Sequence, residues 1–263
     1  MNGGNPLNHP HTSRIYDYFL GGKDNYEVDR QAAEEILTAW PSIRIAARVN
    51  RQFMHRSTRF LAESGIRQFL DVGTGIPTEP NLHQIAQQTA PDSRVVYVDN
   101  DPVVLAHARA YMTGNTQGAT TYIYGDVTEP KAIVDAPELT DVLDLSEPVG
   151  LSMIALLHFV EADVNQIVST FLDAFAPGSY LVICTITADF APEQVNAAQN
   201  VYRVRKLPAQ VRTRDEVTGW FAGLDLVEPG VVPPHRWRLG ESVEIPPTFD
   251  ATVSCYCGVA RKP

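Results

Sequence analysis

Gln68-Phe-Leu-Asp-Val-Gly-Thr-Gly-Ile-Pro77 is the stretch on which the fold turns, and Val95-Val-Tyr-Val-Asp-Asn-Asp-Pro102 completes its meaning. Phe69 to Val72 predicts a short buried strand that runs into Gly73, Thr74 and Gly75. Glycines at such a turn let the backbone bend sharply or let a ligand approach closely. A helix is predicted from roughly Asn81 to Gln88, followed by a second apolar run that ends on Asp99. Strand, glycine turn, helix, strand and acid form the first half of a nucleotide-binding α/β unit, in which the acid reaches the ribose hydroxyls. The glycines alone could merely connect strand to helix; Asp99 at this spacing favours the nucleoside.

Which nucleoside follows from what is missing. A dinucleotide fingerprint needs a further glycine, so that a pyrophosphate can sit on the helix N-terminus. Here Ile76-Pro77-Thr78-Glu79 occupies that place. Glu79, expected in the first helical turn, would repel a dianion, and Asp71 adds a second acid at the strand end. A positively charged adenosine fits better than NAD, and S-adenosylmethionine is the natural candidate.

Phe69-Leu-Asp-Val-Gly-Thr-Gly75 resembles motif I of class I S-adenosylmethionine-dependent methyltransferases. Tyr124-Gly-Asp-Val127 is similar to their adenine-contacting motif, and Phe175-Ala-Pro-Gly-Ser-Tyr-Leu-Val-Ile183 to their junction into strand five. Ser13-Arg-Ile-Tyr-Asp-Tyr-Phe-Leu-Gly-Gly-Lys-Asp-Asn-Tyr26 resembles a bacterial family of S-adenosyl methyltransferases known as a domain of unknown function. That likeness covers nearly the whole chain. It implies an α/β, Rossmann-like seven-stranded sheet and S-adenosylmethionine as cofactor. It also places Asp126 near the adenine amino group and has Val127 donate a backbone contact; Asn100, next to Asp99, is expected to add an adenine-side contact. It does not name a substrate.

At 263 residues the chain can bury a substantial core. Its net charge of -10 argues against a dedicated nucleic-acid binder. No apolar run reaches membrane-spanning length and no secretory leader is recognisable, so a cytoplasmic location is expected. Cys184, Cys255 and Cys257 are too few for a disulfide framework and read as core or surface thiols. His9 and His11 have no further ligand nearby and read as solvated tail histidines, with residues 1 to about 12 disordered; no metal is expected.

Residues 1–64 are expected to form a tail and helical cap, and residues 65–263 the cofactor-binding core. Asp24 is expected to cap a helix carrying Val28, Ala32, Ile36 and Leu37 inward. A second helix runs from about Ser42 with Ile45, Val49, Phe53 and Phe60 inward to Gly65, and its Arg51 and Arg56 read as solvated or salt-bridged. Tyr16, Tyr18, Gly22, Lys23 and Asn25 lie in a polar-aromatic stretch that suits a lid over the site; the alternative is plain packing around a turn.

In the core, strands are expected near Arg94–Val98, Thr120–Tyr124, Val149–Leu156, Tyr180–Ile186, Leu224–Val232 and Thr252–Ala260. The last two are expected to close the sheet as an antiparallel hairpin. Asp126 could equally cap a helix from Thr128 to Val134. Further helices are expected over Pro137–Leu145 and Glu161–Ala176, and Thr213-Arg-Asp-Glu216 is a capping-box pattern. His158 is the histidine that topology brings to the ligand crevice, as a general base or a lining residue. Tyr202 stands with Arg203, Arg205 and Lys206 where an acidic substrate could be drawn in; a solvated face is the alternative. The reaction expected is methyl transfer to a small-molecule acceptor, with a non-catalytic S-adenosylmethionine or S-adenosylhomocysteine binder and a nicotinamide dehydrogenase as rivals. The oligomeric state is not legible.

Overall fold

Three helices precede the first strand: α1 (Thr12–Leu20), α2 (Glu27–Ala39) and α3 (Ile43–Glu63). The computed structural model describes residues 8–111, 116–240 and 245–263, so the expectation of disorder for residues 1–7 lies outside the described residues. The Ser13 amide donates to the His11 ring, which caps α1, and Gly21 ends that helix at φ 85°. The α2 cap is Tyr26 rather than Asp24. The Tyr26 amide donates to the Asp29 carboxylate at 2.9 Å, while the Asp24 amide is drawn back to Asp17. α3 starts after Ser42 as expected, but Ile45 points outward, 41% exposed. The buried stripe of α3 is set instead by Ile43, Ala46, Ala47, Asn50 and Phe53.

The core then alternates strand and helix: β1 (Gln68–Val72), α4 (Leu82–Thr89), β2 (Arg94–Asp99), α5 (Pro102–Tyr111) and β3 (Ala119–Tyr124). Short helices α6 (Pro130–Val134) and α7 (Pro137–Thr140) lead to β4 (Val149–Ile154). After it come α8 (Val164–Ala174), β5 (Tyr180–Ile186), α9 (Pro192–Val204), α10 (Arg214–Gly219), β6 (Asp225–Leu226), α11 (Phe249–Val253) and β7 (Cys255–Arg261). The seven strands lie in the order β3-β2-β1-β4-β5-β7-β6, all parallel except β7, which is antiparallel to β5 and β6. Chain order reverses beside β1, which pairs with β2 on one edge and β4 on the other. Open α/β sheets bind ligands at that switch point, off the carboxyl ends of the strands.

Several expected boundaries move for local reasons. The sixth strand shrinks to two residues plus one bridge, Val232 to Cys257, because Pro229 and Gly230 interrupt the ladder. Helical α11 takes the start of the expected last strand. β4 stops at Ile154 because Ala155 turns to φ 57°. Asp163 caps α8 by accepting from the Asn165 and Gln166 amides, so the helix begins three residues later than expected. The Thr213–Glu216 capping box is present.

Leu70, Val98, Leu151 and Phe171 pack one face of the sheet, and Phe53, Val95, Tyr97 and Trp237 the other. A third cluster joins α1 to α3 with α9 through Ile15, Ile36, Trp40 and Val195. The N-terminal helices are thus joined to the rest of the chain by apolar contact. Among the described residues no helix is long and apolar enough to cross a membrane.

Candidate active site

A cleft enclosing about 830 Å³ of atom-free space, its mouth included, lies over the carboxyl ends of β1, β2 and β4. Asp71, Gly73, Thr74, Gly75, Asp99, Asn100 and Val127, all expected from sequence, line it. The turn after β1 is tied across to β2: the Gly73 and Thr74 amides donate to the Val98 carbonyl at 2.8 and 3.2 Å. Gly73 sits at φ 75°, and a Cβ there would lie 2.7 Å from the Leu156 side chain. Glycine is needed at that position twice over, for the backbone and for the contact.

Asp99 is fixed by two backbone donors, the Gly75 amide at 2.8 Å and the Asp101 amide at 2.9 Å, one on each oxygen. Burial pushes its carboxyl up, and these hydrogen bonds work against that rise. Each oxygen keeps acceptor capacity for a further donor. Asp71 sits part-way open on the cleft floor. Burial pushes its carboxyl up to about 7, a rise that Ser152 and the Arg51 guanidinium only partly offset. Asp126 is exposed and stands just outside the lining, between Gly125 and Val127, which belong to it. Its Oδ2 accepts from the Asn100 amide group at 3.0 Å, and its Oδ1 from the Thr128 amide and hydroxyl at 2.9 and 2.7 Å. Burial raises this carboxyl, yet the Thr128 and Asn100 bonds bring the net shift downward. Glu79 lies exposed in the loop ahead of α4, not in its first turn.

The expected lid residues divide. Tyr16 lines the cleft. Its hydroxyl donates to the Ala47 carbonyl at 3.1 Å and accepts from the Asn50 amide group at 2.7 Å. The others are absent from the lining. The Tyr18 hydroxyl bonds Glu34 on α2, Lys23 is exposed, and Asn25 donates to Asp17 at 2.7 Å and to the Gly22 carbonyl at 3.1 Å. Gly22 packs so tightly on Asp17 that a Cβ would overlap the carboxylate. This stretch builds the knot that ends α1, which is why it reads as special without touching the ligand space.

His11, Ser13, Asn50 and Arg51 line the cleft without having been picked out from sequence as site residues. His11 is no tail histidine: its ring lies 3.3 Å from Asp101, to which the Ser13 hydroxyl also donates at 3.2 Å. Arg51 is not solvated. It donates to the Thr78 and Pro80 carbonyls and holds the loop between β1 and α4. The usable signal was a polar pair, Asn50-Arg51, interrupting the apolar stripe between Val49 and Phe53.

A second, smaller space, about 450 Å³ with its open mouth included, adjoins the cleft behind Thr12, Tyr16, Asn50, Ala155 and Phe159, which face both. His158 and Tyr202 belong to this chamber and not to the cleft. The Ile186 amide donates to the His158 Nδ1 at 3.5 Å, which places the neutral ring's proton on Nε2. Burial, aided by the Arg212 charge, holds this imidazole down at about 3. The Tyr202 ring packs on Phe159 at 5.3 Å. Two of the three basic residues beyond it are spent on structure, Arg205 pairing with Glu35 and Arg203 donating to the Ala209 carbonyl at 2.9 Å, while Lys206 is exposed.

The model of a family described as S-adenosyl methyltransferase matches residues 6–263. The chain belongs to that family. It is accordingly an S-adenosylmethionine-dependent methyltransferase with the class I fold. A DUF574 family protein from Streptomyces avermitilis MA-4680 is 45% identical, with 98% of this chain and 99% of that one covered and a TM-score of 0.92. A methyltransferase candidate from Thermobifida fusca YX is 37% identical over 100% and 99% of the two chains, with a TM-score of 0.89. The plantazolicin methyltransferase BamL, solved with a triazolic desmethylPZN analog and SAH, shares the fold at TM-score 0.54 and 12% identity over 95% of each chain. No curated protein matches the chain.

The residues present fit S-adenosylmethionine. Two carboxylates, Asp71 and Asp99, face the cleft, which suits hydroxyls and cationic centres and not a pyrophosphate.

Proposed function

We propose that the chain methylates a small-molecule acceptor enclosed between a cap, residues 1–64, and the cofactor cleft of residues 65–263. The observation that carries this reading is the shared wall of Thr12, Tyr16, Asn50, Ala155 and Phe159, which sets a second, largely apolar space directly against the first.

In this reading Asp99, held by the Gly75 and Asp101 amides, accepts from the ribose hydroxyls. Asp71 faces the ammonium of the methionine end, and the Gly73–Gly75 turn lets the backbone come close. Asn100 and Val127 flank the adenine, with Asp126 orienting Asn100 from behind. When bound, S-adenosylmethionine supplies an electrophilic methyl group: an acceptor lone pair takes the carbon, the carbon–sulfur pair stays on sulfur, and an acceptor proton leaves to water. The cap residues exclude bulk water and hold the acceptor in line. His158, kept neutral down to about 3, is a poor general base near neutrality and serves as a chamber wall. Alignment supplies the rate enhancement.

Calorimetric titration with S-adenosylmethionine, S-adenosylhomocysteine and NAD tests the cofactor part. Micromolar binding of either adenosyl ligand with no heat from NAD is expected. Absence of binding by both adenosyl ligands would overturn it.

A further inference from the structure

We infer that the chamber behind Tyr16 takes an uncharged, largely apolar and planar acceptor that donates one hydrogen bond to the Asn50 Oδ1. The inference rests on the proposed function, because the chamber matters only if a cofactor fills the neighbouring cleft.

Charge is the first argument. No Asp, Glu, Lys or Arg is among the residues that line the chamber. A carboxylate or ammonium placed there would lose its hydration with no partner of opposite sign, a cost of several kcal/mol or more. His158 does not relieve this, since burial keeps it neutral far below physiological pH.

Shape is the second. Phe19, Trp40, Phe159 and Tyr202 contribute rings, and Ala46 and Ala47 of α3 leave the space between them. Phe159 is clamped between His158 and Tyr202, at 4.1 and 5.3 Å between ring centres. The buried Trp40 indole donates to the Ser42 hydroxyl at 2.8 Å, which orients the ring. Fixed rings with small residues opposite favour a flat apolar body.

The third argument is an orphan. The Tyr16 hydroxyl donates to the Ala47 carbonyl, so it must accept from Asn50, which puts the nitrogen of that amide toward Tyr16. The Asn50 Oδ1 is then left over, buried and without a hydrogen-bond partner. Asn50 itself is only 4% exposed and faces both cleft and chamber. Buried polar atoms in native proteins are satisfied, so an orphan at a junction between two ligand spaces marks where a ligand donor sits. An O–H or N–H next to the accepting atom meets this demand.

The test uses 1-naphthol, naphthalene and 1-naphthoate as probes, titrated into the full chain saturated with S-adenosylhomocysteine. Naphthol is expected to bind at least ~10-fold more tightly than naphthoate, from the cost of burying a charge. It should also bind more tightly than naphthalene, and Asn50→Leu should remove that second preference. Ala46→Phe should abolish naphthol binding while S-adenosylhomocysteine binds as before, which places the probe in the chamber and shows that the fold is intact. Equal binding of naphthoate and naphthol would overturn the inference, as would no probe binding to a protein that holds S-adenosylhomocysteine. An unchanged naphthol preference in Asn50→Leu would overturn the role of Oδ1. Failure of S-adenosylhomocysteine itself to bind would count against the cofactor reading, and naphthol titrated alone would then decide the chamber separately.

Discussion

Arg14 of α1 and Asp101, two residues past the acid that ends β2, lie 3.2 Å apart with both side chains almost fully buried. Asp29 of α2 closes the cluster at 3.6 Å from the same guanidinium, and His11 and Ser13 reach Asp101 beside it. The N-terminal helices are therefore fastened to the turn that follows Asp99 and carries Asn100. Removing one partner of a buried charge cluster strands the others. Arg14→Met should cost about 3 kcal/mol of folding stability on that basis, read from the urea midpoint, and should weaken S-adenosylmethionine binding as the loop loosens.

Asp99→Ala removes the proposed ribose acceptor and strands the Gly75 amide. S-adenosylmethionine affinity should fall by about 2–3 kcal/mol, or roughly 30- to 150-fold, by calorimetry. Undiminished affinity would place the ribose elsewhere.

The two glycines of the turn should differ. Both have left-handed φ, 75° at Gly73 and 69° at Gly75, but a Cβ at Gly75 meets nothing within 4 Å. Gly75→Ala should cost only the conformational strain, about 1 kcal/mol. Gly73→Ala adds the collision with Leu156 and should cost about 2–3 kcal/mol, compared in paired thermal melts.

Asp71, pushed up to about 7, should make cofactor binding pH-dependent. A cationic ligand favours the ionised carboxylate, so affinity should rise with pH up to about 7 and then level off. Below the pKa the slope approaches ~10-fold per pH unit. Titrations in buffers of different ionisation enthalpy should show proton release on binding, and Asp71→Asn should remove both effects.

Folding should weaken in acid. His158 and His55 are held at about 3 and about 4, mainly by burial, against 6.5 when free. Below 6.5 the unfolded chain takes up protons that the folded chain refuses, so stability falls as pH drops toward 3. Asp71 opposes this between 3.8 and about 7, because there the folded carboxyl keeps its proton and the unfolded one does not. His158→Asn should flatten the acid limb of stability against pH, measured by urea midpoints between about pH 4 and pH 8.

What was legible in the sequence was what local pattern encodes. Continuous apolar runs marked the parallel strands, Gly73 and Gly75 the turn, and Asp99 the strand-end acid. The wall that faces that acid was not legible. His11, Asn50 and Arg51 lie 57, 18 and 17 residues upstream of β1, and only packing of the N-terminal helices on the sheet brings them to the cleft. The Tyr18-to-Asn25 stretch misled for a related reason: an unusual run of residues can be demanded by a tight backbone knot as readily as by a ligand. β6 was overextended because alternating apolar residues near Pro229 look like strand until the missing amide is counted.

One helix, α3, gives Ala46 and Ala47 to the chamber, Asn50 and Arg51 to the cleft, and Arg56 to the Pro234 and Trp237 carbonyls. Each residue added or deleted within it would rotate everything beyond by about 100°. Mutational tolerance along α3 should therefore split by kind. Substitutions should be freely accepted on the outer stripe of Ile45, Arg48, Gln52 and Arg59. A single-residue insertion at Ile45 should be lethal to the site, since it would rotate Ala46, Ala47, Asn50 and Arg51 together.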